Sequence, residues 1–284
     1  MEKVTDEPTV LDERTWTARR DAHQARVDGW VQPHLARRRA QVPHPVEDFL
    51  FTYYSHRPAA LRRWHPGHGV GLRDAPDHAA HRWYVERGGV VSVSPVLVVE
   101  RRPQLTALRT LLAATAARPA QLGCFGMHEW AMVYRQPAEQ VRHAGWPLRL
   151  GGPGTDEVVE SHRIGCSHFD AFRFFTDEAR PLNTLQPSSE DRAAFEQPGC
   201  LHAGMDLYKH AYRLSPLVSS ELVADCFELA RDIRVLDMRA SSVKNRNASK
   251  CEQLMRCCST TVSVPAPPSR SGQEACRTSS CGSR

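Results

Sequence analysis

The stretch SSELVADCFELARDIRVLDM, residues 219–238, has the most regular hydrophobic pattern in the chain. Its apolar residues recur at spacings of three and four, which is the repeat of one face of an α-helix. Ser219 or Ser220 can cap the first turn with its hydroxyl group. We therefore predict a long amphipathic helix that ends near Met238 and packs against neighbouring segments.

The segment GCLHAGMDLYKHAY, residues 199–212, comes directly before this helix and concentrates the reactive side chains of the chain. It predicts a second helix from about His202 to Leu214. Asp206 and Lys209 are three residues apart and would share one helix face. We expect the candidate site to be organised around this segment.

Two earlier segments repeat its opening pattern of Gly-Cys, then a histidine and then an acid. The three sets are Gly123-Cys124 with His128 and Glu129, Gly165-Cys166 with His168 and Asp170, and Gly199-Cys200 with His202 and Asp206. We expect the fold to bring these three segments together.

The remaining chain predicts an α+β protein that is mainly α-helical with a few short strands. Residues 1–13 are expected to be a flexible N-terminus, and residues 14–240 a single domain. Further helices are predicted at Thr15–Ala40 with a kink or a split at Pro33, Pro45–Tyr54, Pro58–Trp64, Pro103–Ala117, Met127–Arg135, Thr155–Ser161 and Ser188–Glu196. Strands are predicted at Val90–Val99 and Ile164–Phe175, which are rich in β-branched or aromatic residues.

Residues 241–284 differ from the body in composition, because they are rich in Ser, Cys, Pro and Arg and have no periodic apolar pattern. They predict a disordered tail. This tail holds seven basic and two acidic residues, so it accounts for the whole net charge of +5 and leaves the body neutral. Five of the nine cysteines also lie there, and the four in the body are typical of buried thiols.

The chain shows no apolar run near the ~18 residues that a membrane helix needs. Its first residues are acidic and polar, unlike a secretory signal. We therefore expect a cytoplasmic protein without a membrane partner. The sequence carries no indication of the oligomeric state.

Carboxylates beside aromatic and histidine residues are the first candidates for catalysis. A carboxylate in this setting can activate water or stabilise a cationic transition state. The candidates are Asp206, Asp170 and Glu129. The alternatives for the Asp206 helix are an internal salt bridge with Lys209 and a Schiff base formed by Lys209.

The Cys and His residues leave two other interpretations open. Thiolates, imidazoles and carboxylates are zinc ligands, and a Cys–His pair can act as a nucleophile. The spacing matches no standard metal signature, and the same cysteines fit small buried residues. We therefore predict no metal or other cofactor, with zinc kept as an alternative.

Aromatic and arginine residues alternate between residues 49 and 68, a pattern that suits nucleic-acid binding as well as helix packing. Aromatic rings stack on bases and arginines contact phosphates. The candidate DNA-binding residues are Arg57, Arg62 and Arg63. The candidate substrate-binding residues are Tyr53, Tyr54, Trp130, Tyr208, Lys209, His202 and His168.

Four blocks resemble a bacterial family commonly labelled 3-methyladenine DNA glycosylase. They are HPVEDFLFTYYSHRP at 44–58, GCFG and HEWAMVYR within 123–135, SHFDAFRFF at 167–175, and residues 198–212. The resemblance covers roughly Trp16 to Ser241. It implies a DNA partner and base-excision repair, in which the N-glycosidic bond of an alkylated adenine is hydrolysed. Such chemistry uses a flipped base, an aromatic pocket and a carboxylate.

Two other functions stay open at this point. One is a hydrolase of another substrate that uses a metal or the Cys/His/Asp segments, and the other is a non-catalytic scaffold that binds nucleic acid.

The resemblance also bears on the tail, because the family continues with helical sequence after Arg239-Ala240-Ser241. Our hypothesis is that residues 242–284 are read out of frame.

Overall fold

The computed structural model describes residues 9–44, 46–137 and 147–242. These residues are mainly α-helical with one small four-stranded sheet, which confirms the predicted fold class. The strands are β1 Thr9–Leu11, β2 Val70–Arg73, β3 Tyr84–Arg87 and β4 Val90–Val93. The helices are α1 Glu13–Arg39, α2 Glu47–Tyr53, α3 Pro58–Arg62, α4 Pro76–Ala79, α5 Pro95–Ala116, α6 Met127–Ala131, α7 Gly151–Ser161, α8 Phe169–Phe172, α9 Arg192–Phe195, α10 Leu201–Arg213 and α11 Ser220–Ala240. Arg180–Leu182 forms a short 3-10 helix.

The long helix α11 and its neighbour α10, both predicted from the sequence, lie at the centre of the main core. The Ser219 hydroxyl accepts a hydrogen bond from the Leu222 N–H and caps α11. The helices approach closely at Gly204, where a Cβ atom would lie 2.7 Å from Ile233 Cδ1. Two residues of the apolar repeat, Leu222 and Leu236, are exposed, so the buried face of α11 is narrower than the repeat indicates.

Phe227 of α11 joins the helices of this core. Its ring lies between those of Trp30, Phe51 and Tyr208, with ring centroids 5.0–5.4 Å apart. These rings come from α1, α2 and α10. The helix α1 is continuous through Pro33, so of the two predicted effects of this proline, a kink or a split, the split does not occur. Val31 and His34 are buried on either side of the proline, and this packing offsets the lost backbone hydrogen bond.

The sheet contributes Leu72 to a second hydrophobic core, which also contains Trp16 and Trp64. Its strand order is β1-β2-β4-β3, with β1 parallel to β2 and the other pairs antiparallel. Gly88-Gly89 connects β3 and β4, and both residues have the positive φ that a two-residue hairpin turn favours. The strand β1 lies within the N-terminal region predicted to be flexible, while residues 1–8 lie outside the described residues.

Two predicted strands are corrected by the structure. The strand at Val90–Val99 stops at Val93, because Ser94 caps a helix that begins with Pro95 at its first position. The segment Ile164–Phe175 is a loop followed by the short helix α8. Phe172 and Phe175 are buried three residues apart, so the phenylalanines follow a helical rather than an alternating repeat.

Most helix boundaries differ from the prediction by one or two residues, and four differ by four or more. Met127–Arg135 ends at Ala131, Thr155–Ser161 begins at Gly151, Ser188–Glu196 begins at Arg192, and Pro103–Ala117 begins eight residues earlier at Pro95. The predicted tail lies outside the described residues from position 243 onward, and its first two residues, Ser241 and Ser242, are buried. None of the described helices combines the length and apolar composition needed to span a membrane.

The packing of Phe227 gives a stability prediction. Phe227→Ala removes a fully buried ring and leaves a cavity, so the free energy of unfolding should fall by about 3–5 kcal/mol. Urea unfolding followed by circular dichroism measures this change. The matched control is Leu229→Ala on the same helix, because Leu229 is 43% exposed and should cost less than about 1 kcal/mol. Equal losses in the two variants would contradict the packing described for α11.

Candidate active site

The three Gly-Cys segments lie next to one another in the fold, as their sequence pattern predicts. The imidazole rings of His128 and His202 lie edge to face with centroids 4.6 Å apart, and His168 lies 5.6 Å from His202. Cys124, Cys166 and Cys200 lie close enough together for their thiols to affect one another's pKa values. All three thiols are free.

The glycine before α6 allows one of these segments to approach α11. Gly126 has a φ of 73°, a left-handed conformation that favours glycine. A Cβ atom at this position would lie 2.6 Å from the Cβ atom of Ala240. This close approach brings His128 and Glu129 of α6 next to Arg234 and Asp237 of α11.

A buried network of charges surrounds Asp206 on α10. Its Oδ2 atom accepts hydrogen bonds from Lys209 Nζ at 2.6 Å and from an Arg192 guanidinium nitrogen at 2.9 Å. His168 Nε2 lies 3.5 Å from the same oxygen. Burial alone would raise the pKa of Asp206, but these positive and hydrogen-bonding partners hold it well below its ordinary value. Asp206 is therefore a permanently ionised anchor and is only 3% exposed.

Lys209 links this network to Asp170. Its Nζ atom donates to Asp170 Oδ2 at 3.0 Å as well as to Asp206. Burial would lower the pKa of Lys209, but the two carboxylates raise it, so the amine stays protonated. A protonated amine is not a nucleophile, and this arrangement disfavours the Schiff-base alternative. Burial likewise opposes ionisation of Asp170, yet Lys209 lowers its pKa, and Asp170 is a carboxylate at neutral pH.

A cavity of about 600 Å³ opens beside this network. Its walls carry aromatic rings, carboxylates and arginines. Phe49 and Tyr53, on one face of α2, stack with their ring centroids 4.9 Å apart and their planes at 10°. The lining residues with most bearing on chemistry are Phe49, Tyr53, Glu129, Asp170, His202 and Arg234. This volume lies within the ~300–1,000 Å³ typical of small-molecule sites.

Glu129 lies in a second charged group at the same cavity. Arg234 donates from one nitrogen to Glu129 Oε1 at 3.0 Å and to Asp237 Oδ2 at 2.5 Å. The guanidinium group of Arg234 also lies 4.1 Å from the centre of the Phe49 ring. Asp237 is wholly buried and faces His128, whose Nε2 lies 3.1 Å from Asp237 Oδ1. Burial would lower the pKa of His128, but Asp237 raises it to about 9.

Of the residues predicted from sequence, Tyr53, Glu129, Asp170 and His202 line the cavity. Asp206, Lys209 and His168 lie behind it in the charge network. Tyr54, Tyr208 and Trp130 are buried in the cores instead, since the Trp130 indole N–H donates to the Ala240 carbonyl and the Tyr208 hydroxyl contacts His56.

The arginines predicted to contact DNA lie away from this cavity. Arg62 donates to the Asp28 carboxylate at 2.8 Å, Arg63 is exposed beyond α3, and Arg57 lines a second cavity on the other face of α2. Arg135 and Arg173 are the exposed arginines that line the first cavity.

Sequence reasoning missed Phe49, Arg192, Arg234 and Asp237 as members of the site. Phe49 precedes Tyr53 by one helical turn, so the shared face was visible in the sequence. Arg234 and Asp237 are also three residues apart, but they resemble an exposed ion pair on the polar side of α11. Nothing in the sequence indicates that both are buried.

Comparison of the chain with protein-family models, with curated proteins and with solved structures finds no match.

The Asp206 network predicts a pH-dependent contribution to stability. Asp206→Asn leaves Lys209 and Arg192 without their shared carboxylate, so the free energy of unfolding at pH 7 should fall by about 3–5 kcal/mol. Because the pKa of Asp206 is lowered in the folded protein, this contribution is complete above the ordinary carboxyl pKa of ~4 and is lost as the pH falls below it.

Urea unfolding at pH 7, 5 and 3.5 measures the difference between the wild type and Asp206→Asn. Asp225→Asn is the control, since Asp225 forms an exposed ion pair with Arg26. A loss for Asp206→Asn no larger than for the control, or one that grows toward acid pH, would rule out the network described here.

Proposed function

We propose that this protein is a DNA N-glycosylase that releases 3-methyladenine from alkylated DNA in the cytoplasm. The observation that carries the proposal is the shared cavity of the ionised Asp170 and the stacked pair Phe49 and Tyr53. The resemblance of four sequence blocks to a family with this label supports the same reaction. The proposal needs no cofactor.

The composition of the cavity suits a planar, positively charged base. An adenine methylated at N3 within DNA carries a positive charge, and unmodified adenine does not. Aromatic faces attract a cationic ring, and carboxylates favour it over a neutral one. Phe49 and Tyr53 supply the faces, while Asp170 and Glu129 supply the carboxylates. A base inside the cavity would have to be flipped out of the duplex, as in other enzymes that act on bases.

Asp170 is the carboxylate best suited to assist water. Its Oδ2 atom is bound to Lys209, whereas the contact that Oδ1 makes within the described part of the chain is a longer one, 3.5 Å from Arg173. Oδ1 can therefore accept a proton. Glu129 is less suited, because its Oε1 atom is bound to Arg234. Asp206 does not line the cavity and acts as a positioning residue that holds Lys209.

The reaction then follows from these positions. The C1′–N9 bond breaks, and its electron pair moves to the base, which leaves as neutral 3-methyladenine. Water forms the new bond to C1′ of the oxocarbenium-like sugar, and its proton passes to Asp170. Because the base is already cationic, it leaves without an acid to protonate it.

Asp170→Asn tests the assignment of the water-assisting carboxylate. The rate of 3-methyladenine release from methylated DNA should fall by about 10²–10⁴-fold, the range for removal of a general base. Release of free base, separated by chromatography, is compared with the spontaneous rate from DNA alone. Asp225→Asn is the matched control and should keep wild-type activity.

Wild-type protein that releases no base above the spontaneous rate would refute the glycosylase function. Binding of methylated DNA without release would instead favour a scaffold. Full activity in Asp170→Asn would leave the reaction in place but remove Asp170 from it, and Glu129→Gln would then be measured.

The exposed arginines at the cavity predict where the DNA backbone lies. The double variant Arg135→Gln/Arg173→Gln should bind DNA more weakly than the wild type. The logarithm of its binding constant should also fall less steeply with the logarithm of salt concentration, by about one to two units of slope, since each phosphate contact contributes roughly one unit. Fluorescence anisotropy at several salt concentrations measures this slope. Arg57→Gln with Arg62→Gln is the matched control, and an effect confined to that control pair would contradict the proposed DNA path.

A further inference from the structure

His128, Glu129 and Asp237 form a compact group of side chains whose buried atoms have the chemistry of metal ligands. One ligand atom from each lies within 4.8 Å of the other two. His128 and Asp237 are 3% and 0% exposed, and Glu129 reaches the cavity wall. The proposed glycosylase reaction uses only Glu129 of this group, as one of the two carboxylates that face the base, and gives His128 and Asp237 no role.

Two atoms of the group have no hydrogen-bond partner among the described residues. They are His128 Nε2 and Asp237 Oδ1, which face each other at 3.1 Å without hydrogen-bond geometry. Buried polar atoms are normally hydrogen-bonded, so a facing pair without such bonds points to a missing ligand. His202, whose ring packs edge-on against His128, has a third buried nitrogen of this kind, Nδ1.

The separations fit a small metal ion. Ligands bound at ~2.0–2.1 Å in a tetrahedral site lie ~3.3–3.4 Å from one another. His128 Nε2 is 3.1 Å from Asp237 Oδ1 and 3.9 Å from Glu129 Oε1. Arg234 binds Asp237 through Oδ2 and Glu129 through Oε1, so Asp237 Oδ1 and the second oxygen of the Glu129 carboxylate remain for another partner.

We propose that His128 Nε2, Asp237 Oδ1 and the Glu129 carboxylate bind a divalent transition-metal ion at the floor of the cavity. One imidazole and two carboxylates suit Zn²⁺ and related ions of intermediate softness. Three protein ligands leave one tetrahedral position for water or a substrate atom on the side of the cavity. Arg234 holds both carboxylates in place, as outer-shell partners of metal ligands do.

This site is distinct from a zinc site built from the cysteines. The predicted zinc alternative relied on Cys–His pairs, whereas the ligands here are nitrogen and oxygen atoms. The thiols of Cys124, Cys166 and Cys200 are nearby, but among the described residues they are not part of the group whose ligand atoms converge. The two arrangements give different spectra with Co²⁺, because only thiolate ligation produces strong sulfur-to-metal charge-transfer absorption.

Co²⁺ titration of the full-length chain, after removal of metal with a chelator, tests the proposal without measuring activity. The wild type should bind one equivalent, with visible d–d bands and without strong charge-transfer absorption. His128→Gln and Glu129→Gln should each weaken Co²⁺ binding by at least about tenfold. Zn²⁺ should raise the melting temperature of the wild type, since an ion that binds only the folded state stabilises it.

Cys200→Ser is the matched control, because it changes a buried residue of the same cluster and should leave the Co²⁺ affinity unchanged. Circular dichroism shows whether each variant is folded. If His128→Gln fails to fold, Glu129→Gln still tests the site, because the Glu129 side chain is less buried than that of His128. Absence of stoichiometric binding in the wild type would mean that His128 and Asp237 form only an ion pair. Strong charge-transfer absorption, or unchanged affinity in both ligand variants, would also overturn the proposal.

Discussion

The carboxylate of Asp206, held between Lys209 and Arg192, is the interaction on which the arrangement of the site depends. It joins α10 to α9 directly, and through Lys209 it also joins α10 to Asp170 on α8. Each of these charges is costly to bury alone, so the segments are stable in this arrangement only together. The same contacts keep Asp170 ionised at the wall of the cavity. The ion pairs that stabilise the fold therefore also keep the Asp170 carboxylate charged in the candidate active site.

The centre of this arrangement could be predicted from the sequence. Two local patterns carried the prediction: the spacing of apolar residues by three and four in α11, and the i, i+3 pair Asp206 and Lys209. Such patterns depend only on residues within one or two helical turns, so they can be recognised without knowledge of the rest of the fold. The repeated Gly-Cys segments also predicted that their histidines would meet. The internal salt bridge of Asp206 and Lys209, first considered as the alternative to catalysis by Asp206, is present in the structure.

The lining of the cavity could not be predicted in the same way, because it depends on which side of each helix faces the core. Phe49 and Tyr53 lie on the cavity side of α2, while Phe51 lies in the core and Arg57 follows on the opposite side. Trp130 and Tyr208 have the residue types of a base-binding pocket, yet their rings are needed for packing. Arg234 and Asp237 are buried charges in a helix whose sequence resembles an exposed polar face. Their partners on α6, Glu129 and His128, lie more than 100 positions away in the chain, and no local pattern reports such contacts.

The central claim is that the cavity beside Asp170 binds the base that the reaction releases. A crystal structure of the protein with 3-methyladenine tests it most directly. The account predicts the purine ring stacked against Phe49 or Tyr53, with a ring or amino nitrogen within hydrogen-bond distance of the Asp170 carboxylate. An open, ordered cavity without the base at saturating concentration, or a base bound only at another surface, would contradict it.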